Sequence, residues 1–137
     1  MNDLNQFLDS IKWDSDGLVA CIAQDFRDNT ILMVAYMNRE SLMRTLKEGR
    51  LCYWSRSRKK FWLKGEVSGN FQVLKELYAD CDSDCLLARV EQTGDAACHT
   101  GMRSCFYRKV EKDGSFNEVG RRIFDPAKVY YKKSSHK

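Results

Sequence analysis

The segment Asp80-Cys81-Asp82-Ser83-Asp84, taken with Cys98-His99 and Cys105, sets the tightest condition on what this chain can fold into. It puts three carboxylates, three thiols and an imidazole within one short stretch. Carboxylate oxygens suit hard cations such as Mg²⁺, and thiolates suit Zn²⁺. A chain that groups both ligand types so tightly points to two kinds of metal. Three well-placed thiols leave the fourth position of a tetrahedral zinc open, which is the mark of a catalytic rather than a structural site.

At 137 residues the chain is read as one domain, 1–137, large enough to bury a core. A hydrophobic fraction of 43% and an aromatic fraction of 12% fit a folded globular protein. The net charge of +4 suits a phosphorylated metabolite and is too weak to argue for nucleic acid by itself. The start Met1-Asn2-Asp3-Leu4 lacks the basic-then-apolar pattern of a secretory signal, and no apolar run reaches membrane-spanning length. The expected location is the cytoplasm, with no membrane partner. In that reducing compartment the six cysteines favour metal ligation over a disulfide framework. Cys21 and Cys52 lie in apolar runs and read as buried small hydrophobes; Cys85 is left open.

Residues 18–26 and 30–37 are β-prone runs separated by Arg27-Asp28-Asn29, a hairpin pattern. Asn38 can cap a helix running to about Glu48, with Glu40 in its first turn, Gly49 as its stop and Leu42, Met43 and Leu46 as its buried stripe. After Gly49 the texture is β: residues 51–55, 61–66, 71–82, 86–92 and 105–110. Short strands with glycine-containing turns predict an α+β fold, a β-rich single domain of mostly antiparallel strands with few helices. The charge-rich end, about 127–137, reads as a frayed tail.

If the strand from Phe71 continues to Asp84, its side chains alternate between two faces. Asp80, Asp82 and Asp84 then share one face and Cys81 points to the other, so Cys81 serves a different site. Aspartate clusters are usually solvated turns, but three same-face carboxylates repel one another unless a cation neutralises them. The gap from Cys98 to Cys105 exceeds that of ordinary zinc fingers. His99 could ligate zinc or act as acid and base beside it; three thiols already make a protein ligand set, which favours acid–base work.

The run Tyr53-Trp54-Ser55-Arg56-Ser57-Arg58-Lys59-Lys60-Phe61-Trp62-Leu63-Lys64-Gly65 alternates aromatic and cationic groups. It could bind phosphates and stack on a base, in single-stranded nucleic acid or in a nucleotide metabolite. For the tryptophans alone, a place in the core is the better expectation. Ser68-Gly69-Asn70-Phe71-Gln72 could complete a polar pocket.

These segments, in this order, resemble phosphoribosyl-AMP cyclohydrolase, an enzyme family of histidine biosynthesis. The resemblance runs from about Trp13 to Phe106. It rests on Trp13-Asp14-Ser15-Asp16-Gly17-Leu18-Val19, Ala35-Tyr36-Met37-Asn38, Trp54-Ser55-Arg56-Ser57-Arg58, Trp62-Leu63-Lys64-Gly65-Glu66, Ser68-Gly69-Asn70-Phe71-Gln72, the Asp80–Asp84 run, Ala97-Cys98-His99-Thr100-Gly101 and Ser104-Cys105-Phe106. Small departures fall at Ala20-Cys21, Phe61, Val67 and Cys85.

The resemblance implies a cytoplasmic homodimer with metal sites at the subunit interface. It implies zinc held by Cys98 and Cys105 of one subunit and Cys81 of the other, and Mg²⁺ at Asp80, Asp82 and Asp84. It implies hydrolytic opening of the adenine ring of 1-(5-phosphoribosyl)-AMP at N1–C6, with His99 moving the proton. Trp54, Arg56, Arg58, Trp62, Lys64, Ser68 and Gln72 are the candidate substrate contacts. The pyrophosphohydrolase domain that some relatives carry is not expected. Two other classes compete. A zinc-stabilised nucleic-acid-binding module needs neither the aspartate triplet nor an open thiol site. A zinc deaminase needs a His-x-Glu…Pro-Cys-x-x-Cys pattern that this sequence lacks.

Overall fold

The computed structural model of the protein describes residues 3–127. The tail expected to fray lies, beyond Ala127, outside the described residues. Helix α1 (Asp3–Ser10) leads into strands β1 (Leu18–Asp25) and β2 (Ile31–Asn38), helix α2 (Arg39–Glu48), strands β3 (Cys52–Ser55) and β4 (Lys60–Leu63), then β5 (Gln72–Ala79), β6 (Cys85–Gln92), β7 (Arg108–Val110) and β8 (Phe116–Glu118). A four-stranded sheet of order β2-β1-β6-β5 forms the body, and β3-β4 and β7-β8 are separate two-stranded hairpins.

The α+β class holds. The β1–β2 hairpin pairs as expected, from Leu18 with Asn38 to Gln24 with Ile31. Helix α2 is bounded as its sequence predicts. Asn38 accepts from the Ser41 amide at 2.8 Å while Ser41 reaches back to the Asn38 amide at 3.0 Å, a reciprocal cap. Gly49, at φ 77°, closes the helix in the left-handed region that a side chain disfavours. Leu42 is fully buried, and Met43 and Leu46 pack against the core. The buried Thr45 hydroxyl is shared with the backbone of Cys52 on β3, at 2.9 and 3.2 Å, and so staples α2 to the β3-β4 hairpin.

Several elements differ from expectation. The sheet is mixed, because β1 and β6 pair in parallel at its centre. Parallel neighbours need a crossover connection, and everything from β2 to β5 supplies it. Helix α1 was not anticipated, although Leu4, Phe7, Leu8 and Ile11 fall at helical spacing and pack into the core. The strand expected to reach Asp82 ends at Ala79. The run expected over 105–110 is a strand only at Arg108–Val110. Cys21 and Cys52 are buried, as apolar residues would be.

At one end of the sheet, β1 finishes in an aspartate with no exposure. Asp25 accepts from the guanidinium of Arg103 at 2.8 Å and from Arg27 at 3.2 Å. Arg103 also binds Asp28 at 2.9 Å and the Asp95 carbonyl at 3.2 Å. Burial alone would raise the Asp25 pKa, but the two guanidiniums outweigh it and hold the carboxyl below its ordinary range. The Thr30 amide and Arg103 lower Asp28 to about 2.

Asp25→Asn is expected to cost about 3 kcal/mol of unfolding free energy, because it strips the largely buried Arg103 of its deepest partner. Both carboxyls have depressed folded pKa values. Their stabilisation is therefore fully present above their ordinary 3.8 and is lost as pH falls below it through each depressed pKa, which for Asp28 is about 2. Urea midpoints measured from pH 6 to pH 2 should fall less steeply for Asp25→Asn than for the wild type; parallel curves would refute the assignment.

Candidate metal and substrate site

The candidate residues lie on the β3–β4 hairpin and the turn after β4, at the start of β5, in the β5–β6 turn, and in the long loop between β6 and β7.

The β5–β6 turn holds the aspartates. The Asp80 carboxylate organises it locally, accepting from the amides of Asp84 at 3.0 Å and Cys85 at 3.2 Å. Ser83 takes φ 61° to complete the reversal. The premise of one continuous strand with alternating faces is thus overturned; a tight turn closes on its own carboxylate instead. The turn still gathers the three acids. Ligand oxygens of Asp80, Asp82 and Asp84 all lie within 4.8 Å of one another, exposed to solvent. Hydrogen bonding to Asp82 and Asp80 raises Asp84 to about 6, and their charges add to this. For Asp80 desolvation pushes upward, but hydrogen bonds from Asp84, the turn amides and Asp82 together outweigh it and shift the carboxyl down. Such a set of hard, mutually repelling oxygens is chemically suited to a divalent cation.

The loop from Thr93 to Tyr107 holds the thiols and the imidazole. Its shape is set by backbone bonds from Ala97 to Arg103 at 3.0 Å and from Cys98 to Met102 at 3.2 Å, and by the Cys105 amide donating to Leu32 on β2 at 2.7 Å. These bonds bring Cys98 and Cys105 together. Burial pushes the Cys105 thiol up to about 12, and the neighbouring Cys98 adds to the rise. The Thr100 hydroxyl donates to the Cys98 sulfur at 3.0 Å. Cys81 is exposed in the β5–β6 turn. Among the described residues of one chain, the aspartates are the one group of three or more ligands gathered closely, and the three thiols do not assemble.

His99, beside the buried Cys98, is exposed and faces a cleft of about 410 Å³. Ser55, Ser57, Arg58, Lys60, Trp62, Glu66 and Ser68 also line it. Of the expected substrate contacts, Arg58, Trp62, Lys64 and Ser68 therefore share one cleft with His99. Trp54 and Arg56 line a second, more open cleft with Tyr36, and Trp62 borders both. Arg56 stacks over the Tyr36 ring at 3.9 Å.

Gln72 sits elsewhere than anticipated, and Lys64 borders the His99 cleft but is more buried than anticipated. Gln72 is completely buried, with its amide committed to the Tyr53 hydroxyl at 2.7 Å and to Gln92 at 2.9 Å. It is a core residue, since the first position of β5 faces inward. Lys64 was expected to reach a phosphate from the surface. It is instead only 7% exposed, its amine donating to the Ala97 carbonyl in the thiol loop. Asn38, whose role the sequence left open, caps α2; Gln24 likewise bonds Asn29 and Arg89. Sequence reasoning assigned no role to Thr100 or Arg103. A hydroxyl two residues after a candidate ligand is a readable signal, whereas the partners of Arg103 lie some 75 residues away and leave no local trace.

Magnesium is expected to raise the midpoint temperature of the protein at pH 7.5. In the cation-free protein the raised Asp84 pKa favours the fold below the ordinary carboxylate value, and that contribution is lost as pH rises through about 6. A bound cation displaces that proton. The magnesium-induced shift should therefore shrink as pH falls through about 6, and should vanish in Asp82→Asn. A shift independent of pH, in thermal melts from pH 5 to pH 8, would contradict a carboxylate site.

A profile of the phosphoribosyl-AMP cyclohydrolase family matches residues 33–107. Relatives of that name extend the likeness over nearly the whole chain. One from Chlorobium chlorochromatii is 51% identical over 134 residues, covering 98% of this chain and 97% of its own. One from Pelotomaculum thermopropionicum is 55% identical over 126 residues, covering 92% and 97%. One from Marinobacter nauticus is 55% identical over 124 residues, covering 90% and 89%.

Proposed function

The chain belongs to the phosphoribosyl-AMP cyclohydrolase family, and on that premise we propose that it opens the adenine ring of 1-(5-phosphoribosyl)-AMP at the N1–C6 bond, in the biosynthesis of histidine. The enzyme is a hydrolase acting on C–N bonds. The observation that carries the reading is the position of His99, next in chain to a buried thiol and on the wall of a basic cleft.

Cys98 and Cys105 fit a zinc ion by donor chemistry: two soft sulfurs held together, one already receiving a hydrogen bond from Thr100. The third ligand in this reading is Cys81 of the partner subunit in a homodimer, since the turn that carries Cys81 stands apart from the thiol pair within one chain. When bound, zinc would act as a Lewis acid and lower the pKa of a water toward neutrality. His99 takes the proton from the water that attacks C6 and delivers it to N1 as the N1–C6 bond breaks. C6 becomes the carbonyl of a carboxamide and keeps the exocyclic nitrogen, while N1 departs, protonated, as the ribosyl-bearing nitrogen of the formimino group. Arg58 and Ser68 face the phosphoribosyl groups, with charge-assisted hydrogen bonds to phosphate as their task. Trp62 offers its ring to the base. Asp80, Asp82 and Asp84 would hold Mg²⁺, which when bound would supply positive charge for a phosphate or ribose. No helix among the described residues is long and apolar enough to cross a membrane, and the proposed compartment is the cytoplasm, with no nucleic-acid or membrane partner.

Turnover of phosphoribosyl-AMP by the purified protein, followed by ultraviolet absorbance, should be abolished by a zinc chelator and restored by zinc. Cys98→Ala is expected to lose bound zinc and turnover together. His99→Ala should keep zinc and lose roughly 10²–10⁴-fold in kcat. Full activity in either variant would sink the scheme, and release of ammonia would convert it to a deamination.

A further inference from the structure

Lys64 carries a buried charge that the proposed reaction does not use. Among the described residues, the groups whose negative charge favours its ammonium form are the thiols of Cys105 and Cys98, with no carboxylate among them. Burial works the other way and lowers its pKa. An ammonium kept 7% exposed without a carboxylate is costly unless something anionic stands close by. Among the described residues its ammonium donates to the carbonyl of Ala97, the residue before Cys98, and lies 5.3 Å from the centre of the Trp62 ring. Gly65 follows, where an added Cβ would meet the Phe71 amide nitrogen at 2.5 Å, so the backbone next to Lys64 packs directly against that of Asn70 and Phe71. The lysine is thus held in place from both sides.

We propose that Lys64 is the counter-charge of the thiolate set, a positioning residue that holds the Ala97–Cys98 backbone and offsets the surplus negative charge of three thiolates around one divalent ion. The inference rests on the zinc reading above. Three thiolates and Zn²⁺ sum to a net charge of −1, and low-dielectric surroundings magnify the cost of that excess. An ammonium donating to the loop that carries Cys98 would cancel it without taking a coordination position. The same cancellation keeps the metal electron-poor. Lys64 therefore acts through the metal ligands and not on the substrate. The Thr100 hydroxyl, which donates to the Cys98 sulfur at 3.0 Å, serves the same charge from another side.

The test is zinc affinity of the full-length protein, by competition with a chromophoric chelator, alongside the sulfur-to-cobalt charge-transfer absorption of the cobalt-loaded form. Lys64→Gln keeps a hydrogen-bond donor for Ala97 and removes the charge; Lys64→Arg keeps the charge. Lys64→Gln is expected to raise the zinc dissociation constant about 10- to 100-fold and to shift the cobalt band, while Lys64→Arg stays close to the wild type. If Lys64→Gln does not fold, Lys64→Met is read in its place. Unchanged affinity and spectrum in the neutral variant would overturn the inference while wild-type zinc binding and turnover stand. Equal losses in the neutral and arginine variants would also overturn it, as a packing effect. A wild-type protein that binds no zinc would overturn both this inference and the reading beneath it.

Discussion

The loop that carries both thiols and the imidazole has almost no regular structure, and its tie to a fully buried carboxylate of the protein's body is the fork of Arg103. One nitrogen of that guanidinium is shared between Asp25, at the buried end of β1, and Asp28 in the β1–β2 turn. The backbone of the same residue exchanges a hydrogen bond with Ala97, beside Cys98. Two residues on, the Cys105 amide docks on β2. The separation of the two thiols is therefore inherited from the β1–β2 hairpin, which is the most locally determined part of the fold. A soft loop acquires a rigid spacing because charge is buried at its root, where water cannot compete for the donors.

The cleft wall opposite is stiffened in another way. Tyr53, Gln72 and Gln92 form a chain of buried hydrogen bonds that ends on the carbonyl of Asn70, at 2.7, 2.9 and 2.9 Å. No buried side-chain nitrogen or oxygen among the described residues lacks a partner, so this polar run inside an apolar core is fully satisfied. Its effect is to pin the turn between β4 and β5, which carries Lys64 and Ser68. Trp62 packs on Tyr53 with ring centroids 5.4 Å apart. The aromatic residue that faces the cleft is therefore also anchored in the core.

What was legible in the sequence follows physical range. The hairpin, α2 and its caps were readable because their causes lie within four residues: Asn38 with Ser41, and Gly49 after the last turn. The ligand types were readable because chemistry belongs to the residue. Helix α1 was missed because eight residues, mostly polar, give a weak pattern, even though Leu4, Phe7, Leu8 and Ile11 keep the period. The aspartate turn was misread as strand because alternation along Asp80-Cys81-Asp82-Ser83-Asp84 mimics a pleat; the carboxylate of Asp80 bonding its own following amides was the competing force that won. Gln72 and Lys64 were assigned to substrate on residue type. A polar side chain can equally serve the core or a neighbouring loop, and only the tertiary partner decides. Arg103 depends on contacts far along the chain and could not be read at all.

The two proposed metal sites differ in burial in the sense their chemistry requires. Magnesium dehydrates reluctantly and keeps several waters, so a useful site for it is open to solvent and supplies charge more than shape. The exposed turn of Asp80, Asp82 and Asp84 has that character. Zinc used as a Lewis acid gains from the opposite setting, because excluded water leaves each charge less screened. Cys98 is nearly buried; Cys105 keeps an exposed surface, yet the packing around its thiol and the neighbouring Cys98 raise its pKa to about 12. A soft site that must be dry and a hard site that must be wet cannot share one pocket. With Cys81 in the acidic turn yet not part of its oxygen cluster, the proposed homodimer would bring the two sites together on separate turns without making them alike.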